Sequence, residues 1–230
     1  MIRKGLLLSS IPLVLMAALG AWAFSTVTPD ARFPVHFGID GQPDRWGSPA
    51  EAFFALFGVA VAVTAILAVV PLLDPRGANL RRSSGFYLTA WVATLWFLAL
   101  LHGAMVASAL GYLDLGSDMI IRVSGAGVSL LLLVIGNVMG KSRPNWFAGV
   151  RTPWTLSSDI TWERTNRLGG RLFVLTGLVG AVAAWLLPTA FVLPAVVVGV
   201  AAAAVISVIY SWVVWRTAPD RKVGPQVVDS

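Results

Sequence analysis

A chain of 230 residues that is 57% hydrophobic and only 12% charged is too apolar for a soluble fold of its size. It contains no cysteine, which excludes disulfide bridges, thiolate catalysis and a cysteine metal cage. The net charge of +6 needs no nucleic acid to explain it, because basic groups gathered on one face of a bilayer account for it.

Crossing roughly 30 Å of hydrocarbon takes about 20 helical residues. Six apolar runs approach or exceed that length, at residues 5–24, 52–72, 86–110, 119–138, 172–187 and 194–215. The runs are continuously apolar rather than alternating, which favours helices over a barrel, since every backbone group in lipid must find its partner within the spanning structure. The expected fold class is all-α: an integral membrane bundle of six transmembrane helices, three within residues 1–115 and three within 116–230. All of the 17 basic residues except Arg32, Arg45 and Arg122 fall in one alternating set of loops, while the acidic residues divide nearly evenly. The positive-inside rule therefore puts both termini and the segment 140–171 in the cytoplasm.

The first run follows Arg3 and Lys4, and Ala21, Trp22 and Ala23 have the small-residue pattern of a cleavage site. The run exceeds the usual signal-peptide core, so its retention as a helix is expected. The outer loop 25–51 carries His36, Asp40 and Asp44, the candidate recognition residues on that side. An imidazole with carboxylates would suit a divalent ion. Asp40-Gly41 and Pro43-Asp44 are ordinary turn formers, however, and neither a metal nor another cofactor is expected.

The second run closes at Pro71, before Asp74-Pro75-Arg76-Gly77 and the anchoring Arg81 and Arg82. His102 lies within the third run, where a neutral imidazole bonded to a neighbouring helix is the expected state and a proton or ligand role the alternative. Asp118 and Arg122 stand one turn apart at the start of the fourth run and are expected to form an interfacial ion pair. Gly136 and Gly140 near its end permit a close helix neighbour. In the last run Ala195, Gly199, Ala203, Ser207 and Ser211 recur at every fourth residue, a stripe expected to face another helix.

Segment 140–171 concentrates the chemistry of the chain. It holds Lys141, Arg143, Arg151, Arg164, Arg167 and Arg171, with Trp146, Trp154 and Trp162 among them, against only Asp159 and Glu163. Arg143-Pro144-Asn145 and Thr152-Pro153-Trp154 break helix, because the residue before a proline is biased to extended backbone. Ser157 or Ser158 then offers an N-cap, with acids early and bases late, so an interfacial helix is expected before the fifth span, bent into it at Gly169-Gly170. Two readings stay open for the segment. One is a docking surface for anions or protein, with Arg143, Arg151 and Arg167 as donors. The other is the plain excess of basic residues on an inner face.

The stretch GKSRPNWFAGVRTPWTLSSDITWERTNR resembles the signature segment of the SdpI family of bacterial membrane proteins. Upstream, Pro34, His36, Phe37, Gly41 and Asp44 resemble the short outer motif of an uncharacterised domain that often precedes it. The family usually reads Thr-His-Arg where this chain has Thr165, Asn166 and Arg167. The resemblance implies immunity to a secreted antimicrobial peptide outside, with the toxin's presence relayed inward to a cytosolic repressor held at the membrane. The candidate partner-binding residues are then Lys141, Arg143, Asn145, Arg151, Trp154, Trp162 and Arg167, beside a bilayer with an anionic inner leaflet and with no direct nucleic-acid contact. A small-solute transporter is the alternative, although no Asp or Glu lies deep in any span. An enzyme is not expected, since the segment 140–171 has no histidine or cysteine to activate its serines.

Overall fold

The computed structural model of the protein describes residues 1–38, 42–75, 77–114 and 116–221. Six helices are long and apolar enough to cross a membrane: α1 (Ile2–Thr26), α2 (Pro49–Leu73), α4 (Ser84–Ala109), α5 (Ser117–Met139), α7 (Asp159–Leu186) and α8 (Thr189–Thr217). Two short helices, α3 (Gly77–Arg82) and α6 (Pro153–Leu156), lie between them, and the strands β1 (Phe33–Phe37) and β2 (Pro43–Gly47) lie between α1 and α2. The helices extend past several of the apolar runs because capping side chains take over at their ends. Ser48 Oγ accepts the Glu51 N–H with Pro49 in the first turn, and Ser158 Oγ accepts the Thr161 N–H at 3.0 Å.

The outer loop departs from the all-helical expectation by folding into an antiparallel hairpin. Phe33 pairs with Gly47, Pro34 with Trp46, His36 with Arg45, and Phe37 with Pro43, with irregularities on either side of His36. Aromatic and β-branched residues in FPVHF favour extended backbone, and a two-stranded sheet has only edges, where proline is tolerated. The Phe33 ring packs on Phe53 with centroids 5.0 Å apart and ties the hairpin to α2.

Helices α1, α2 and α4 pack on one another, as do α5, α7 and α8, and α4 meets α5. The first group closes over Met16, Ala60, Leu80, Tyr87, Trp91 and Leu95. The second relies on bare backbone. A Cβ on Gly136 would lie 2.6 Å from the Gly170 carbonyl oxygen, and one on Gly177 2.5 Å from that of Ser129. Such contact between helices requires glycine.

Close packing also explains why Gly169 and Gly170 do not interrupt the helix. The expected interfacial helix and the fifth span are one unbroken helix of 28 residues, and the two glycines are buried against α5 and α8. The small-residue stripe of α8 is buried at Ala203, Ser207 and Ser211, but Ala195 is exposed and Val192 and Val196 take its place inside.

The expected Asp118–Arg122 ion pair is replaced by other bonds. Arg122 Nη1 donates to the carbonyls of Ala184 at 2.7 Å and Leu187 at 3.2 Å, and Asp118 accepts from Thr189 Oγ1 at 3.0 Å. The last carbonyls of α7 have no intrahelical donor and carry partial negative charge, so they outcompete a carboxylate one turn away. His102 behaves as expected of a packed imidazole: it is buried, and Nε2–H donates to the Phe53 carbonyl of α2 at 2.9 Å.

Candidate functional site

Three connections converge at one end of the bundle: the α2–α4 link, the 140–158 segment and the residues following α8. The first is joined to the second by three bonds. Asn79 Nδ2 donates to Pro144 O at 3.0 Å, Arg143 N–H to Ser83 Oγ at 2.7 Å, and Trp146 N–H to Asp74 Oδ2 at 3.3 Å. From the other side, Thr152 Oγ1 lies 3.0 Å from Ser211 Oγ of α8, and Trp215 Nε1 donates to Ser157 Oγ at 3.0 Å. The segment therefore connects both groups of helices through polar contacts.

Within it, the fold is dictated by two carboxamides and an indole. The Asn145 side chain donates to the carbonyls of Arg143 and Ala148 and accepts from the N–H groups of Phe147 and Ala148, using its full hydrogen-bonding capacity. Asn166 Oδ1 accepts the Val150 N–H at 2.8 Å while its Nδ2 donates to Trp162 O at 3.0 Å. A neutral imidazole also offers one donor and one acceptor, the same pair that the Asn166 carboxamide uses here. Gly149, at φ +111°, passes so near that a Cβ there would lie 2.5 Å from Asn166 Oδ1. Trp162 Nε1 donates to Ser142 O at 3.1 Å.

The candidate partner-binding residues thus divide by burial. Asn145 and Trp162 are 0% and 1% exposed and shape the segment from inside, out of reach of a partner in this arrangement. Lys141, Arg143, Arg151 and Arg167 are exposed, and Trp154 is half-buried. Arg151 Nη1 donates to Trp146 O at 2.7 Å, and Arg167 pairs with Glu163 at 2.6 Å. The face carries guanidinium and ammonium groups over hydroxyls, but the chain's two histidines lie elsewhere, in the hairpin and in α4. Its exposed charged groups are therefore mainly hydrogen-bond donors.

Sequence reasoning anticipated the Ser158 cap but missed those at Thr152 and Asp220. Thr152 and Thr155 form a capping box that starts α6, with Pro153 in its first turn. A threonine followed by proline is a helix-start signature as much as a breaker, and that signal was available. Asp220 gave no such warning: across 60 residues or more its carboxylate accepts from Ser158 Oγ–H at 2.6 Å and Ile160 N–H at 3.1 Å. Partial desolvation pushes the Asp220 carboxyl up. The hydrogen bonds from Ser158, Ile160 and the backbone outweigh it, so its pKa falls below the ordinary value of 3.8. A cavity of about 450 Å³ between Asn79, Ser157, Asp159 and Asp220 opens beside this cap.

At the opposite end, His36 Nδ1–H donates to Asp44 Oδ1 at 2.6 Å across the hairpin, and Arg45 pairs with Glu51. Asp40, the third candidate outer residue, and Gly41 lie outside the described residues. Beneath the hairpin an apolar cavity of about 270 Å³ is lined by Phe37, Trp46, Phe53, Met105 and Ile120, among others.

Comparison with known proteins bears out the resemblance in both segments. Residues 141–211 match the SdpI/YfhL protein family, and residues 11–61 match the Domain of unknown function (DUF1648). The Immunity protein SdpI of Bacillus subtilis (strain 168) is 35% identical over 88 residues, which are 38% of this chain and 41% of that protein. The match therefore spans well under half of the curated relative. No solved structure matches the chain. With its six apolar spans, the chain is a multi-pass bacterial membrane protein whose residues 141–211 match the SdpI/YfhL protein family.

Proposed function

We propose that this protein gives its host immunity to a secreted antimicrobial peptide, engaging the peptide at the hairpin end and relaying its presence through the 140–171 segment to a cytosolic repressor. The observation that carries this reading is the bonding of the 140–158 segment to both groups of helices, from Asn79 and Ser83 on one side to Ser211 and Trp215 on the other. A displacement between the groups would be felt by that segment and by the exposed Arg143 and Arg151 upon it. The relative's name and the sorting of basic residues, which favours a cytoplasmic side for this end, support the same reading.

Expression in a peptide-sensitive bacterium tests it. Survival under toxin without new solute uptake by membrane vesicles is the expected result, and uptake without survival would replace immunity with transport. The cysteine-free chain allows a single engineered thiol near position 150 to report the side of the membrane. Protection of that thiol from an impermeant reagent in intact cells is expected, and labelling from outside would invert the assignment. Alanine at Arg143, Arg151 and Trp154 together should abolish repressor recruitment while leaving membrane insertion intact.

A further inference from the structure

A lateral cavity of about 350 Å³ opens between α5 and α7, level with the C-terminal end of α5; it is apart from the hairpin and meets the 140–158 junction only at Gly140 and the candidate surface at Arg167. Its lining includes Gly136, Asn137, Gly140, Gly170, Arg167 and Arg171. The floor is backbone: Gly136 and Gly170 meet without side chains, and a Cβ on Gly140 would lie only 3.2 Å from the Arg167 Cα. That approach draws two guanidinium groups and the Asn137 carboxamide to one recess. Asn137, Arg167 and Arg171 are all exposed. Glu163 engages Arg167 from the preceding turn, whereas Arg171 has no acidic partner among the described residues.

From this polar recess each helix continues as an exposed apolar stripe. On α5, Val134 and Leu130 follow Asn137 at helical spacing, 37% and 55% exposed. On α7, Arg171 is followed by Leu175 and Leu178, at 56% and 51%. A cationic recess continuous with an apolar groove matches a molecule with an anionic head and a hydrocarbon tail. The general excess of basic residues on one face requires charge there, but not two arginines and an amide over a glycine floor with apolar flanks.

We propose that this groove is a binding site for a single anionic glycerophospholipid. Its phosphodiester sits between Arg167, Arg171 and Asn137, and an acyl chain lies along the α5–α7 seam. Guanidinium groups donate to phosphate oxygens in pairs, and the carboxamide supplies a further N–H donor.

Native mass spectrometry of the purified full chain, delipidated and then titrated with phosphatidylglycerol, phosphatidylcholine or inorganic phosphate, tests the assignment. The expected result is one phosphatidylglycerol adduct retained ahead of phosphatidylcholine and not displaced by inorganic phosphate. The double variant Arg167→Ala with Arg171→Ala should lose that preference by roughly ten- to thirtyfold. Arg81→Ala with Arg82→Ala removes the same charge from exposed positions on α3 and should keep it. Asn137→Leu, which retains both charges, should weaken it severalfold. Unchanged retention in the Arg167/Arg171 variant would overturn the site, and so would equal loss in both double variants, which means charge attraction without a groove. Displacement by inorganic phosphate would overturn the phospholipid as its ligand.

Discussion

The hairpin at 33–47 and the segment at 140–158 are both polar excursions between membrane spans, yet they are held differently. The hairpin uses a backbone ladder, one aromatic contact with α2 and two exposed pairs, His36–Asp44 and Arg45–Glu51. The 140–158 segment uses the buried side-chain amides of Asn145 and Asn166, whose partners are backbone groups of the segment itself. Exposed pairs exchange protein contacts for water almost evenly, whereas a buried N–H or carbonyl that loses its partner suffers its full desolvation cost. A surface meant to yield to a ligand is more readily built in the first way, and a fixed junction between helices in the second.

The difference can be broken most forcefully at Gly149. Alanine there must adopt φ near +111° and meets Asn166 Oδ1, so Gly149→Ala should destabilise by roughly 3 kcal/mol or more. Thermal unfolding in detergent and new protease cleavage between Trp146 and Arg151 would register it; an unaltered cleavage pattern would mean that the segment is not rigid. Asn145→Ala strands four backbone groups at once and should cost about 1–3 kcal/mol in the same assays.

Smaller effects sharpen the contrast. Asp220→Ala removes an exposed cap from α7 and should cost roughly 0.5–1 kcal/mol. Because the folded pKa lies below 3.8, this contribution is present at neutral pH and is lost as pH falls through the lowered value. Unfolding of the wild type compared with Asp220→Ala across acidic pH should therefore show the two converging only there. At the hairpin, Asp44→Ala or Arg45→Ala should cost no more than about 0.5 kcal/mol, and the difference from wild type should shrink between about 0.05 and 0.5 M salt. A hairpin variant as damaging as Asn145→Ala would erase the distinction between the two regions.

The six spans are legible in the sequence, because hydrocarbon thickness sets a length that apolar runs must meet whatever their neighbours. The N-cap at Ser158 was legible too, since a cap is a local pattern of side chain and backbone. Within the candidate surface, exposed arginines followed from charge density. The interior roles of Asn145, Trp162 and Asn166 did not, because a polar side chain reads alike in sequence whether it meets a partner or a buried carbonyl.

Sequence by itself determined the number and approximate extent of the helices, the absence of thiol chemistry and the gathering of basic residues in one set of loops. All of these depend on composition and spacing along the chain. Only the tertiary structure decided that Arg122 serves the end of α7 rather than Asp118, that α7 runs unbroken through its paired glycines, and that Asp220 caps a helix begun some 60 residues earlier. Each of those outcomes is a competition among partners distant in sequence, and it is settled by which of them the packed helices bring within hydrogen-bonding distance.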